Sequence, residues 1–255
     1  MGGDGFKMSR FFVDGENIFA DSIIIEGNDV NHIKKVLRLK RNDKITIADG
    51  KGTDYEVKIT EIEKASITTS ILNTKRNAAE PPIDITLFQG VPKSEKMDFV
   101  IQKSVELGVG SIIPLTTERT IVKLTEEKEV QKKLRRWNRI SMEAAKQSGR
   151  GVIPVVKQPT DFKSALNTLK NSSLSVIPYE GERENGLRKI IPSGFSAGEI
   201  FIFIGSEGGF TKQEIESAVN YGVHPVTLGP RILRTETAGI VALSILMYEI
   251  GDVGG

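Results

Sequence analysis

The sequence predicts an α/β protein, a parallel sheet flanked by helices, with a smaller strand-rich domain ahead of it. Three observations carry this. From Ile83 onward, short apolar runs alternate with amphipathic helical stretches, the pattern of βαβ units. Before Glu80, strand-like runs follow one another with turns between them, as in a small β-barrel. Between the two, Asn73 to Pro82 is polar and contains Pro81-Pro82, which suits a linker. The boundaries read in this way are 8–75 and 80–255.

In the first domain, Phe11 to Val13 and Ile23 to Ile25 are short strands. Asn28 then caps a helix with Val30, Ile33, Val36 and Leu37 on its inner side and His32, Lys34, Lys35 and Arg38 outside. Lys44 to Ala48 is a strand. Tyr55, Val57 and Ile59 alternate with charges, as in a half-buried strand, and Ile67 to Leu72 adds another. In the second domain, Ile83 to Gln89 is a strand, and Ser94 caps a helix carrying Met97, Val100, Ile101 and Val105 that stops at Gly108. A strand at Ser111 to Leu115 precedes a long helix, about Thr125 to Gln147, with Val130, Leu134, Trp137, Ile140 and Ala144 at helical spacing. Val152 to Val156 and Leu174 to Pro178 are strands, and Asp161 caps the helix between them.

The remainder reads EIFIFIGSEGGFTKQEIESAVNYGVHPVTLGPRILRTETA. Ile200 to Ile204 suits a strand buried on both faces. Thr211-Lys212-Gln213-Glu214 is a capping box, so a helix starts there and ends with Gly222 as its C′ residue. Val226 to Leu228 is the next strand, and Thr235-Glu236-Thr237 opens a final helix that is apolar almost all round. Two strand ends thus feed two glycine-bearing loops. In an open α/β sheet such loops lie together at the carboxyl edge, where ligands bind. A turn needs glycine but has no need of two arginines, a glutamate and two threonines beside an apolar pair; that mixture suits a small-molecule site.

Composition narrows the class. The 255 residues include no cysteine, which excludes disulfides and thiol chemistry. No apolar run approaches the roughly 20 residues of a membrane span. The net charge of +2 does not by itself announce nucleic-acid binding, so any RNA contact requires clustered basic residues. MGGDGFK precedes a second methionine, Met8, and reads as a leader. His32 and His224 show no metal-binding spacing, and no metal is expected. GxSxG, a Walker loop and a cysteine nucleophile are all missing, so hydrolase and nucleoside-triphosphatase readings have no anchor.

IGSEGGF together with LGPRILRTETA resembles the RsmE family of the SPOUT superfamily of RNA methyltransferases. So do HIKKVLRLKRNDKI, GVPKSEKMDFVIQKSVELGVGSIIPLTTERT and RWNRISMEAAKQSGRGVIPVV, and the likeness spans nearly the whole chain. It implies a SPOUT-type parallel sheet with a C-terminal trefoil knot, where periodicity alone would make the sheet doubly wound, and a PUA-like β-barrel domain ahead of it. It further implies methylation of N3 of a uridine in 16S ribosomal RNA, with S-adenosylmethionine as cofactor and naked rRNA or the small ribosomal subunit as substrate, in the cytoplasm and as a homodimer. Where the family usually has proline this chain has Ser206, which restores a backbone N–H and adds a hydroxyl.

By the same resemblance the cofactor lies against three segments. These are Ile177, Pro178 and Tyr179; the glycine turn Gly205, Ser206, Glu207, Gly208 and Gly209; and Leu228, Gly229, Ile232, Leu233, Arg234, Thr235, Thr237 and Ala238. Arg234 is the candidate for stabilising the uracil anion, since a guanidinium keeps its charge. Glu236 is the candidate proton acceptor, or else it braces the loop. Arg10, Lys34, Arg38, Lys93, Arg119 and Arg150 are candidate RNA contacts, Arg150 because a lone arginine in a glycine turn can reach phosphate; Lys93, Lys96 and Arg119, near the carboxyl ends of strands, read either as RNA contacts or as ordinary surface charge. The run Lys132, Lys133, Arg135, Arg136 and Arg139 reads as a solvated helix face. Ile240, Leu243 and Met247 share one face of the last helix, which packs either on the sheet or on a partner. Two other functions compete. A non-catalytic RNA-binding protein would tolerate a degenerate pocket, but LGPRILRTETA is intact. A dinucleotide-dependent oxidoreductase needs GxGxxG, and GSEGGF has the wrong spacing.

Overall fold

The computed structural model describes residues 9–122, 124–169, 174–191, 195 and 198–254; the leader read at 1–7 lies outside them. The chain divides into two compact units. One runs up to Glu80 and also takes in Ala145–Ile153, and the other holds Pro81–Ala144 and the chain from Pro154 onward.

The first unit is a five-stranded sheet. Its strands are β1 (Arg10–Phe12), β2 (Ser22–Glu26), β3 (Lys44–Ala48), β4 (Thr53–Ile62) and β5 (Ser66–Arg76), in the order β1-β3-β4-β5-β2. β1 runs parallel to β3, and the other pairs are antiparallel. Alternate residues, among them Ile23 and Ile25, Ile45 and Ile47, and Val57 and Ile59, turn to one core, as period-two patterning requires. Helix α1 (Asn28–Asn31) is capped by Gly27 rather than Asn28, and it widens into a π-turn over His32–Val36. There Leu37 N–H bonds His32 O at 3.0 Å, five residues back. The wider turn rotates Val36 off the face of Val30 and Ile33, and it is 66% exposed rather than in the core.

A buried polar cluster secures Ala145–Ile153 to this sheet. Arg10 grips Asp54 with two bonds of 2.7 Å and reaches Arg150 O at 3.2 Å. Asn77 donates to Asp54 at 2.8 Å and to Gly149 O at 3.1 Å. Glu80 accepts from the Arg150 guanidinium at 2.8 Å and from the N–H groups of Gly151 and Val152 at 2.8 and 2.9 Å. Arg150, read from sequence as a phosphate contact, is 3% exposed and is a structural ion-pair partner. Arg10 is likewise committed, to Asp54. Replacing Arg150 by alanine leaves the Glu80 carboxylate, 15% exposed, without its ion-pair partner, and we expect a loss of up to about 3 kcal/mol in urea unfolding. Unchanged stability with weakened RNA binding would restore the phosphate role.

The second unit is a parallel seven-stranded sheet with helices between its strands. In chain order come β6 (Asp84–Gly90), α2 (Lys96–Glu106), β7 (Ser111–Thr116), α3 (Glu127–Ser148, its last turn counted with the first unit) and β8 (Val155–Val156). Then follow β9 (Thr160–Asp161), α4 (Phe162–Asn167), β10 (Leu174–Pro178), α5 (Leu187–Ile190), β11 (Glu199–Ile204), α6 (Lys212–Asn220), β12 (His224–Val226) and α7 (Thr235–Ile250). The order is β12-β10-β11-β6-β7-β8, and β9 also pairs with β7. Phe88 of β6 and Phe203 of β11 stack at 4.6 Å and pack with Phe201 against Phe162 of α4 and Ile215 of α6. The opposite face of the sheet meets α7, which also packs on α2.

Several boundaries move. The N-cap of α2 is Glu95; Ser94 takes a left-handed φ of +60° and makes no cap. β12 ends at Val226, where the sequence reading began it, because Val226 is the last residue paired with β10. β8 keeps only Val155 and Val156 of the expected run. The capping box at Thr211 and Glu214 forms as read. Leu243 and Met247 are fully buried within the unit, so the face they share with Ile240 packs inside the subunit rather than on a partner. Among the described residues no helix is long and apolar enough to cross a membrane.

Candidate functional site

The carboxyl ends of β6, β10, β11 and β12 lie side by side, and the loops that leave them form the candidate site. β11 ends at Ile204, and the chain turns at once, with Gly209 N–H donating to Ser206 O at 2.9 Å. Three neighbours brace this turn. Gly90, the last residue of β6, lies so close that a Cβ there would sit 2.3 Å from Ser206 N and 2.5 Å from Gly205 C. Only glycine lets two backbones approach in this way. From α7, the Thr235 hydroxyl donates to Gly205 O at 2.5 Å and accepts from the Gln89 amide at 2.9 Å. From the loop after β7, the Arg119 guanidinium donates to Gly208 O at 3.0 Å, and the Ser206 hydroxyl donates to Arg119 O at 3.4 Å. The Ser206 hydroxyl thus has a partner.

The second wall comes from β10 and β12. Ile177 and Pro178 pair with Pro225 and Val226, and Tyr179 N–H continues the ladder to Val226 O at 3.0 Å. The loop after β12 is held at its root by Thr227 N–H to Asn185 O at 2.9 Å, and Thr227 Oγ1 accepts from Gly229 N–H at 3.2 Å. Gly229 has φ +116°, and nothing lies within 4 Å of the position a Cβ would take. Its backbone therefore faces open space. Leu228, Leu233 and Ala238 are half-buried along the wall, while Ile232 is 84% exposed at the rim.

Arg234 is the N-cap position of α7 and is exposed. Glu236 lies in the first turn of the same helix, with its carboxylate 3.1 Å from Lys96 Nζ. Burial pushes this carboxyl up. The backbone bond at the helix start, the hydrogen bond and charge of Lys96, and the charge of Arg234 together outweigh that and hold it below the ordinary carboxylate range. Glu207 accepts from Lys93 N–H at 2.9 Å, and Thr237 is exposed on the first turn of α7.

The fold thus brings the three expected cofactor segments and the Arg234–Glu236 pair to one edge. It places Arg10, Lys34, Arg38 and Arg150 in the first unit, where Lys34 Nζ donates to Glu63 O at 2.7 Å and Arg38 is exposed. Gln89, Gly90 and Lys96 were not assigned to the cofactor and catalytic site from sequence. Their partners stand more than a hundred residues away, and no local pattern signals such pairings.

Comparison with known proteins agrees with this geometry. Residues 79–247 match the profile described as an RNA methyltransferase domain, and residues 25–72 match an RNA methyltransferase PUA domain. The chain is 32% identical over 249 residues to the ribosomal RNA small subunit methyltransferase E of Bacillus subtilis, covering 95% of this chain and 97% of that one. The crystal structure of the Neisseria gonorrhoeae enzyme of that name, bound to S-adenosyl methionine, aligns with a TM-score of 0.82 at 35% identity, covering 96% of this chain and 99% of that one. A Legionella pneumophila methyltransferase structure in complex with SAM aligns with a TM-score of 0.84 at 32% identity, covering 96% and 99%. On the glycine turn, the Arg234 loop and these full-length likenesses, the chain belongs to the ribosomal RNA small subunit methyltransferase E family.

Proposed function

We propose that this protein transfers a methyl group from S-adenosylmethionine to N3 of a uridine in 16S ribosomal RNA. One observation supports the reading above others: a glycine turn braced from three sides stands beside a loop whose backbone at Gly229 faces open space, next to Arg234 and an ionised Glu236. Backbone groups of Gly205 to Gly209 and of Gly229 would hold the adenosine, with Leu228, Leu233, Ala238 and the Ile177 to Tyr179 strand end as the apolar wall. When bound, S-adenosylmethionine supplies an electrophilic methyl group on a sulfonium.

This chain's residues deal with the uracil. N3 carries a proton near neutral pH and must lose it as the new bond forms. Glu236 is ionised and so able to accept that proton, while its low proton affinity makes it a weak base. The other half of the work falls to Arg234, whose guanidinium donates to a uracil oxygen and lowers the energy of the anion. Holding the donor and N3 in line supplies up to roughly 7–11 kcal/mol of barrier lowering. Arg38, Lys34 and Lys93 are the exposed or half-exposed cations we assign to the RNA backbone.

The same reading gives the loops after β11 and β12 a threaded, trefoil-knotted path, and domains divided near residues 75–80. It makes the protein a cytoplasmic homodimer that docks through the outer side of α7, where Tyr248 is 67% exposed and Val241 and Ile245 are half-buried. Mass-spectrometric mapping of small-subunit rRNA from cells lacking the gene tests the activity. One N3-methyluridine should vanish and return with the wild-type gene. It should not return with Gly229→Val, since valine is an outlier at φ +116° and crowds the open face. Unchanged methylation in the deleted strain would refute the assignment.

A further inference from the structure

We propose that Lys96 is a positioning residue of the methyl-transfer site: its ammonium clamps the Glu236 carboxylate to the start of α2 and links it to Glu207 on the glycine turn, leaving Arg234 unpaired for the uracil. The proposal rests on the function given above. Lys96 Nζ lies 3.1 Å from one oxygen of Glu236 and 3.4 Å from the other, so it faces the carboxylate squarely. The same nitrogen is 4.0 Å from Glu207, which the Lys93 N–H fixes at 2.9 Å. Three segments far apart in sequence, the starts of α2 and α7 and the turn after β11, therefore meet on one cation.

As a stability device the contact contributes little, because a lysine about a third exposed is well solvated. Its consequence is electrostatic and geometric. The charged groups facing Glu236 are Lys96 on α2, Arg234 on its own loop and, through Lys96, Glu207 on the glycine turn. With Lys96 removed, the nearest cation left for Glu236 is Arg234. A carboxylate and a guanidinium pair readily in bidentate fashion. That pairing would neutralise the group that has to stabilise the uracil anion. Lys96 thus keeps the site's acid and its arginine apart.

The direction of the pH effect follows. The hydrogen bond and the charge of Lys96 both favour the ionised form of Glu236, so their loss raises the carboxyl's pKa, and activity that needs the ionised form is lost at a higher pH.

The test compares full-length Lys96→Met and Lys96→Arg with wild type. Carbon-13 NMR follows the Glu236 carboxyl, identified by the resonance that Glu236→Gln removes. In Lys96→Met it should titrate at higher pH than in wild type, and in Lys96→Arg near the wild-type value. With small ribosomal subunits from cells lacking the gene, the acid limb of kcat/KM should move in the same direction for Lys96→Met, with about tenfold less activity on that limb, and Lys96→Arg should restore it. The Kd for S-adenosylmethionine, by calorimetry, should stay within about threefold, because backbone groups hold the cofactor. If the methionine variant does not fold, Lys96→Gln takes its place. An unchanged Glu236 titration in the neutral variant overturns the proposal. If wild type transfers no methyl group to the subunits, the function given above fails instead, and the NMR comparison still decides the part played by Lys96.

Discussion

Replacing Gly90 by alanine should abolish cofactor binding. The added methyl group would sit 2.3 Å from Ser206 N, 2.5 Å from Gly205 C and 2.9 Å from Ile204 O. These are backbone atoms of a neighbouring strand end, so no rotamer change relieves the clash. Either β6 or the turn after β11 must move. Overpacking of this kind costs about 1–3 kcal/mol in stability, which a seven-stranded sheet can survive. The turn has less tolerance, because its donors must lie within a few tenths of an ångström of their acceptors. We expect S-adenosylmethionine affinity to fall at least about a hundredfold, roughly 2.7 kcal/mol, with circular dichroism unchanged. Gly239→Ala is the control. Its methyl group would meet side chains alone, the Gln89 oxygen at 2.9 Å, Ile204 at 3.6 Å and Leu87 at 3.8 Å; these can shift where backbone cannot, so its loss of affinity should be much smaller, limited to what a displaced Gln89 does to Thr235. Affinity in the Gly90 variant within threefold of wild type would mean that the turn does not carry the cofactor.

Leu243→Asp should unfold the second unit rather than release a folded monomer. Leu243 has no exposed surface, and α7 packs on α2, β6 and β11. An unpaired carboxylate placed there costs several kcal/mol, of the order of 3–5. That is a large part of the ~5–15 kcal/mol that holds a protein folded. Urea unfolding followed by circular dichroism measures the loss. Tyr248→Asp, on the outer side of the same helix, should leave the midpoint nearly unchanged while lowering the mass seen by light scattering. A Leu243→Asp protein with a native unfolding midpoint would place this face outside the core.

The sequence was most informative where the deciding interactions are local. The capping box at Thr211, the left-handed residue Gly222 and the alternating strands of the first unit each depend on residues a few positions apart, and each stands where the pattern put it. The loops proposed to hold the cofactor stand out in the sequence because their glycines and charges are unusual for turns. A distant partner leaves no local mark in the sequence. Arg150 sits between two glycines and looks solvent-facing in sequence, but Glu80, seventy residues earlier, takes its charge. Val36 follows helical spacing on paper, and a single π-turn moves it to the surface. The face of Leu243 was ambiguous because α7 is apolar nearly all round, so only packing could decide which side is inward. Lys96 stood out in sequence as a cation near the strand ends, but its two carboxylate partners come from other segments and left no local mark.

The polar cluster at Arg150 also has a consequence for synthesis. Domains of nascent chains fold as they emerge, beginning from the amino terminus. Here the first eighty residues carry all five strands of their sheet but not the arginine that neutralises Glu80, nor the Gly149 carbonyl that Asn77 requires. Those arrive only after another seventy residues have been translated. Until then a sheet complete in its strands exposes an unmatched carboxylate at its seam. The amino-terminal unit therefore gains its last internal bonds only once residues 145–153 have emerged, and a polypeptide cut at the apparent linker is expected to be less stable than its hydrophobic pattern suggests.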